Sequence, residues 1–360
     1  MQKKGSKAKK IIISVICVLL VLVIGGMWGL SVMIYNDNFD KRFESYEPYM
    51  YYVEDFEGLQ RTQYKFESDK GQMLTGYMYS SGENQKGVVV IAHGFGGGGH
   101  NSYMDVANYF ASNGYYVFAY DATGNDESEG DGVGGMPQGV IDLEHAISFV
   151  KQSEDFSDLP IVLFGHSWGG YSVCSVLSYH PDVKAVIECS GFESPSGMFE
   201  SEGKKIAGNG IYLMMPFVKL HEFIKYGKYA SNTAIDGFEN SDAPVIVVHC
   251  EGDPVVPVEY GYDIFYAKYK DNERFTFIKP QNNEHDYVYR DKTYANEFDA
   301  EFDEWLKTLD YDYNLEENKE RFSKDKENYL HENLDREKWS DMLNKEMFEQ
   351  FLEFYNTNIK

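Results

Sequence analysis

The sequence predicts an α/β fold, a mostly parallel central sheet with helices on both faces, carrying a small helical cap insert. Three observations predict it. Apolar runs of strand length alternate with helical patterns through the middle of the chain. A Gly-x-Ser-x-Gly pentad stands where one of those runs gives way to a helix. An aspartate and a histidine each follow a later strand, the end of a parallel sheet at which ligands bind.

Read in order, the chain opens on a basic stub over residues 1–10, with Lys3, Lys4, Lys7, Lys9 and Lys10 and no acid. Ile11 to Tyr35 contains no charged residue. As a helix it would span roughly 37 Å, enough to cross a bilayer with about 30 Å of hydrocarbon. Lysines before such a segment favour a cytoplasmic N-terminus. The expectation is an N-terminal transmembrane helix acting as a signal anchor in the cell membrane, single-pass, with the body outside. The alternative is a signal peptide cleaved after Gly29-Leu30-Ser31 and secretion, although signal cores run only about 7–15 residues. A mature start near Val32 would decide for it.

The body is expected over residues 36–309. After an irregular aromatic stretch, Gln63 to Ser68 and Met73 to Tyr79 alternate like half-exposed antiparallel strands at a sheet edge. Gly87 to Gly94, Tyr115 to Asp121, Ile161 to Phe164, Val183 to Cys189 and Pro244 to Cys250 are continuous apolar runs, as strands covered on both faces require. Arg274 to Ile278 is a shorter last strand. Helical patterns fall over Tyr103–Ser112, Pro137–Gln152, Trp168–Tyr179, Val258–Tyr269 and Ala295–Leu309.

Two segments interrupt this alternation. Residues 192–243 hold no clear strand and read as a helical cap, with the Met-rich run Ile211 to Val218 suited to an adaptable binding surface. Residues 310–360 read as a charged helical C-terminal extension. There Leu343, Met347, Phe348, Phe351, Leu352 and Tyr355 share one helical face, with Ser340 as the expected cap. That stripe is expected to pack on the body.

At 43% hydrophobic residues, a chain of 360 can bury a sizeable core. Its net charge of −25 excludes nucleic-acid binding by phosphate neutralisation. Cys17, Cys174, Cys189 and Cys250 form no disulfide framework and read as small buried hydrophobes, with a bond between Cys189 and Cys250 left open.

The pentad is Gly165-His166-Ser167-Trp168-Gly169, followed by Gly170. Such a tight turn raises the serine hydroxyl above the sheet at a helix start, where developing negative charge is stabilised. Asp253 lies in a Gly/Pro-rich turn after the strand ending at Cys250, and His285 follows the last strand. Asp286 is too close in sequence to orient His285, and Asp242 precedes its strand. The order Ser, Asp, His, with spacings of 86 and 32 residues, fits the α/β-hydrolase pattern. The His93-Gly94-Phe95-Gly96 loop lacks P-loop and dinucleotide spacing; beside Ser167 it suits an oxyanion loop, with the Phe95 and Trp168 amides as donors and His93 holding the loop. No His/Cys/Asp cluster has metal-ligand spacing, and neither metal nor cofactor is expected.

Together with Gly252-Asp253-Pro254-Val255-Val256-Pro257, these motifs resemble the serine aminopeptidase S33-like group of α/β-hydrolases, which includes monoacylglycerol lipase-like enzymes. Asp121 to Gly130 is similar to the family's Asp-x-x-Gly-x-Gly-x-Ser-x-Gly loop, with Asp126 in place of the second glycine. The resemblance covers about Lys65 to Leu309. It implies Ser167 as nucleophile, His285 as base, Asp253 as its orienting acid, and a small-molecule ester or short peptide as substrate. Ester cleavage is favoured, because family peptidases carry a larger cap with an acid for the substrate amine. Glu193, Glu200 and Glu202 keep the peptidase alternative open. A binding protein on a hydrolase scaffold is the alternative of another class.

Overall fold

The computed structural model describes residues 3–83, 85–156, 158–281 and 284–360. Met1 and Gln2 of the basic stub, and Asn282 and Asn283 ahead of His285, lie outside the described residues. Eight strands form one sheet: β1 (Gln60–Glu67), β2 (Met73–Ser80), β3 (Val88–Ala92), β4 (Tyr116–Tyr120), β5 (Ile161–His166), β6 (Val186–Cys189), β7 (Val245–Val248) and β8 (Phe275–Ile278). Their spatial order is β1-β2-β4-β3-β5-β6-β7-β8. β2 pairs antiparallel with both β1 and β4, and all other pairs are parallel. This is the expected mostly parallel sheet with an antiparallel edge.

The helices are α1 (Lys3–Phe39), α2 (Met104–Ser112), α3 (Met136–Gln152), α4 (Trp168–Ser175), α5 (Pro195–Ala207), α6 (Ile211–Tyr226), α7 (Ala234–Asn240), α8 (Tyr262–Tyr269), α9 (Thr293–Leu306), α10 (Lys319–Asn333), α11 (Arg336–Ser340) and α12 (Lys345–Asn358). Alternation along the strands divides the core into two layers. Val88, Val90 and Ala92 of β3 pack with α3, α4, α7 and α8 on one face. Val89 and Ile91 pack with α2 and α12 on the other. Each of these valines and Ile91, fully buried, contributes about 1.5–3 kcal/mol. Two-sided burial is why these strands read as unbroken apolar runs.

The C-terminal stripe is part of that second layer. Met347, Phe348, Phe351 and Tyr355 of α12 are buried, and the Tyr355 hydroxyl donates to the Leu163 carbonyl of β5 at 2.6 Å. Asn344, not the expected Ser340, caps this helix: its side chain accepts from the Met347 amide at 3.0 Å. Ser340 instead ends α11, its hydroxyl bonded to the Glu337 carbonyl.

α1 is longer than the apolar segment at both ends, being helical from Lys3 through Tyr35 to Phe39. Its apolar stretch is long enough to cross a membrane by length and composition, with a mean hydropathy of 2.9. Residues 8–26 are exposed throughout, and burial begins only where Ser31, Tyr35 and Phe39 meet the body. Cys17 is accordingly exposed, contrary to its reading as a buried hydrophobe, because no other described residue covers that part of α1. Cys174, Cys189 and Cys250 are buried, and among the described residues no disulfide joins them. α5, α6 and α7 make up the insert over residues 192–243, and no strand occurs there among the described residues.

Candidate active site

Ser167 closes β5 and opens α4 with φ 57° and ψ −118°, a backbone conformation that costs a non-glycine residue roughly 1–3 kcal/mol. Close packing holds it there. A Cβ at Gly165 would stand 2.3 Å from the Gly169 carbonyl oxygen, and one at Gly169 would stand 1.9 Å from that of Ala92. The strand and helix therefore cross at backbone contact, and the Ser167 amide is tied to the Cys189 carbonyl at 2.8 Å.

Asp253 and His285 meet at the same sheet edge. His285 Nδ1 lies 2.7 Å from Asp253 Oδ2, while Asp253 Oδ1 accepts the Val255 and Val256 amides at 2.9 and 2.8 Å. Burial would push the Asp253 carboxyl up, but the bond from His285, its charge and the Val256 amide outweigh that, leaving the pKa below its ordinary value. Asp286 is exposed, and Asp242 is exposed ahead of β7. His249, which the sequence did not single out, is buried behind the pair. Its Nε2 lies 2.8 Å from the Val256 carbonyl and 3.5 Å from Asp253 Oδ2. Among the described residues no hydrogen bond joins the Ser167 hydroxyl to His285. Such bonds are often loose in unliganded enzymes and tighten with substrate.

The 93–100 loop follows β3 and reaches Ser167. A Cβ at Gly94 would lie 3.5 Å from that of Ser167. His93 accepts the Ala122 amide at Nε2 (2.9 Å), so its Nδ1 carries the proton and donates to the Gly94 carbonyl at 2.7 Å. Burial depresses its pKa, which fits a neutral ring holding the loop. Among the described residues the amides of Phe95 and Trp168 have no hydrogen-bond acceptor. The two side chains stand edge-to-face at 5.9 Å.

A buried chain of hydrogen bonds links this loop to the His285 turn. The Gly94 amide donates to the Tyr103 hydroxyl at 2.9 Å, and that hydroxyl meets His166 Nδ1 at 2.9 Å. His166 Nε2 lies 3.0 Å from the His285 carbonyl. A carbonyl only accepts, so Nε2 carries the proton and the Tyr103 hydroxyl donates to Nδ1. Burial, joined by the nearby His285 charge, lowers the His166 pKa well below its ordinary value. His166, His285 and Asp286 bring ligand-type atoms within 4.8 Å of one another. With both His166 nitrogens committed to hydrogen bonds, this group is built for bonding rather than for a metal.

Asp126, at the position where the family pattern has glycine, takes φ 35°. Its carboxylate compensates for that strain by accepting the Ser45 amide and hydroxyl, both at 2.6 Å, and the Gly99 amide at 2.7 Å. The segment after α1 is thereby strapped across the site loops. Phe43 bonds to Gly124 and Asp126, Arg42 to the Ser128 and Gly130 carbonyls, and the Gly134 amide to the Phe39 carbonyl. Phe39 and Phe43 pack edge-to-face on Phe95 at 5.5 and 4.9 Å.

Another buried carboxyl, Glu188 of β6, bonds to the Gly191 amide. Burial, opposed by that bond and reinforced by the Asp253 charge, pushes its pKa up to about 8. Two nearby acids are thus driven apart, Asp253 toward the charged form and Glu188 toward the neutral one. In the cap, Glu200 is bonded to Lys204 at 2.6 Å and Glu202 to Lys205 at 2.7 Å, while Glu193 is half-buried. The Met-rich run divides: Met215 is buried, Met214 turns to α1, and Leu213 is exposed.

Residues 83–227 match the family described as serine aminopeptidase, S33. A caffeoylshikimate esterase of Arabidopsis thaliana is 30% identical over 116 residues, covering 32% of this chain and 35% of that protein. A lysophosphatidylserine lipase, ABHD12, of Xenopus tropicalis is 24% identical over 217 residues, covering 56% of this chain and 54% of its own. The chain thus spans about a third and about half of these two relatives. Among solved structures, the Pyrococcus furiosus esterase PF2001 superposes with a TM-score of 0.50 at 18% identity, covering 69% of this chain and 91% of that one. That likeness concerns the fold. Sheet order and the strained serine turn give the chain the α/β-hydrolase fold, and its residues 83–227 are similar to the serine aminopeptidase S33 family.

Proposed function

We propose that this chain is a membrane-anchored serine hydrolase that cleaves carboxylic esters through an acyl-enzyme. The observation that carries the reading is the 2.7 Å Asp253–His285 pair at the same sheet edge as the strained Ser167. Ser167 Oγ attacks the ester carbonyl carbon as His285 Nε2 takes its proton. The carbonyl oxygen becomes an oxyanion held by the Phe95 and Trp168 amides, each such donor being worth about 2.7–4 kcal/mol in the transition state. Collapse breaks the bond to the alkoxy oxygen, which leaves as the alcohol with the proton from His285. Water then attacks the acyl-enzyme, gives its proton to His285, and releases the acid and Ser167. Asp253 keeps the imidazole in the needed tautomer and stabilises its cation. His93, Gly94, Gly165, His166 and Gly169 shape and hold these groups.

Esters are favoured over peptides because Glu200 and Glu202 are already paired with lysines. The two curated relatives, an esterase and a lipase by name, support the same choice. The exposed apolar length of α1 supports an uncleaved anchor, with the stub cytoplasmic and the body over residues 36–309 outside the cell membrane. Two measurements test the function. A fluorophosphonate probe labels the wild type and fails to label Ser167→Ala; equal labelling of both overturns the mechanism. Nitrophenyl acyl esters turn over faster than aminoacyl nitroanilides, and the reverse order moves the assignment to an aminopeptidase.

A further inference from the structure

α6 shows an apolar face to its surroundings. Leu213, Phe223 and Ile224 are 68%, 61% and 66% exposed, with Tyr212 and Leu220 beside them. Soluble surfaces seldom gather so many large apolar side chains in one place. α6 is also laid against the part of α1 where the fully exposed stretch ends. Trp28 stands edge-on to Phe217 at 6.5 Å and to His221 at 6.3 Å, Ser31 Oγ meets Met214 Sδ at 3.9 Å, and the Tyr35 hydroxyl donates to Glu222 at 3.1 Å. The exposed surface of α1 and that of α6 are therefore continuous.

Charge points the same way. In a chain of net −25, residues 211–231 hold three lysines, Lys219, Lys225 and Lys228, and one acid, the buried Glu222. Lys219 is exposed beside the apolar face, while Lys225 turns to the Gly134 carbonyl and Asp40 and Lys228 lies over Tyr179. An apolar helix face with lysine at its edge is the pattern of helices that lie in the headgroup zone. From this place a line of rings runs inward: Trp28 to His221, His221 to Tyr35 at 4.9 Å, Tyr35 to Phe39 at 4.7 Å, and Phe39 to Phe95 at 5.5 Å. Phe95 belongs to the loop beside Ser167.

We infer that the exposed face of α6 is seated in the same bilayer that α1 spans, making the cap a lipid-embedded roof that admits acyl esters from the membrane along this aromatic line. The inference rests on the reading of α1 as an anchor and of Ser167 as an esterase nucleophile. Its occupant is the lipid bilayer, because the surface continues that of α1 without a break.

The full chain is reconstituted in vesicles of phosphatidylcholine and phosphatidylserine, with bimane on Phe223→Cys in a Cys17→Ser background. Nitroxide-bearing lipid quenches the label while aqueous iodide does not. Phe223→Glu combined with Ile224→Glu lowers turnover of a long-chain ester dissolved in the vesicles about tenfold or more. Turnover of a short water-soluble ester stays within about twofold, since neither side chain faces the site. Quenching by iodide alone, or equal loss on both esters, overturns the inference. A label shielded from both quenchers in a particle of doubled mass assigns the face to a second copy and also overturns it. Extraction of the wild type by alkaline carbonate marks failure of the anchor reading instead. Absence of short-ester turnover in the wild type marks failure of the esterase reading.

Discussion

The Tyr103 hydroxyl is shared by two neighbours at the candidate site, the Gly94 amide and His166 Nδ1. Removing it leaves a buried donor and a buried acceptor unsatisfied, at about 1–3 kcal/mol each. Tyr103→Phe is expected to lower kcat by about tenfold or more with KM nearly unchanged, because the loop carrying Phe95 loses its brace. Steady-state kinetics on a short ester check this, and an effect confined to KM contradicts it. Glu188 offers a test by titration. Its pKa rises from the ordinary 4.5 to about 8 on folding, so between those values the folded chain keeps a proton that the unfolded chain loses. Stability from this group falls as pH rises through that window and then levels off. In Glu188→Gln the Gly191 bond is retained and the titration removed. Its thermal midpoint relative to wild type should therefore be higher at pH 8 than at pH 5; equal offsets at both would refute this. Sequence showed Ser167, Asp253 and His285 because turn chemistry and strand order place them. Tyr103 left no such sign, since its bond joins residues 63 positions apart, and His249 and Glu188 stand in apolar strand runs where nothing marks them as other than core.

Among the elements, the strap over residues 39–45 was the least legible. It has neither period, and its conformation is set by bonds to loops more than 80 residues later. Asp126 illustrates the same limit: as a departure from glycine it signalled doubt about a loop, whereas its carboxylate is what closes that loop over Ser45. The α12 stripe was readable from its spacing, but not its cap, since Asn344 and Ser340 are both capable residue types. α12 also gives the test at this scale. Phe351 is fully buried against Phe164 of β5 and Phe348 in the second core layer. Phe351→Ala should cost about 3–5 kcal/mol, read as a lower urea midpoint with unchanged slope. A midpoint within about 0.5 kcal/mol of wild type would mean that α12 is dispensable to the sheet.

For the whole molecule, alternation of apolar runs and helices was enough to foresee the parallel sheet, because two-sided burial demands that composition. It could not foresee that α1 is held to the site loops through an unbroken helix and a bonded strap, with no flexible linker between. If α1 spans the bilayer, the site is held at a fixed height and facing, and ester substrates are met by lateral diffusion. The far end of the chain imposes a constraint of another kind. Tyr355 closes over the carbonyl of Leu163, its partner 192 positions earlier, on the strand that ends in the serine turn. During synthesis β5 emerges long before the helix that covers it. The serine turn must therefore wait, that face of its strand only partly covered by α2, until translation has delivered α12, and a chain interrupted anywhere in between is one for chaperones and proteases to deal with.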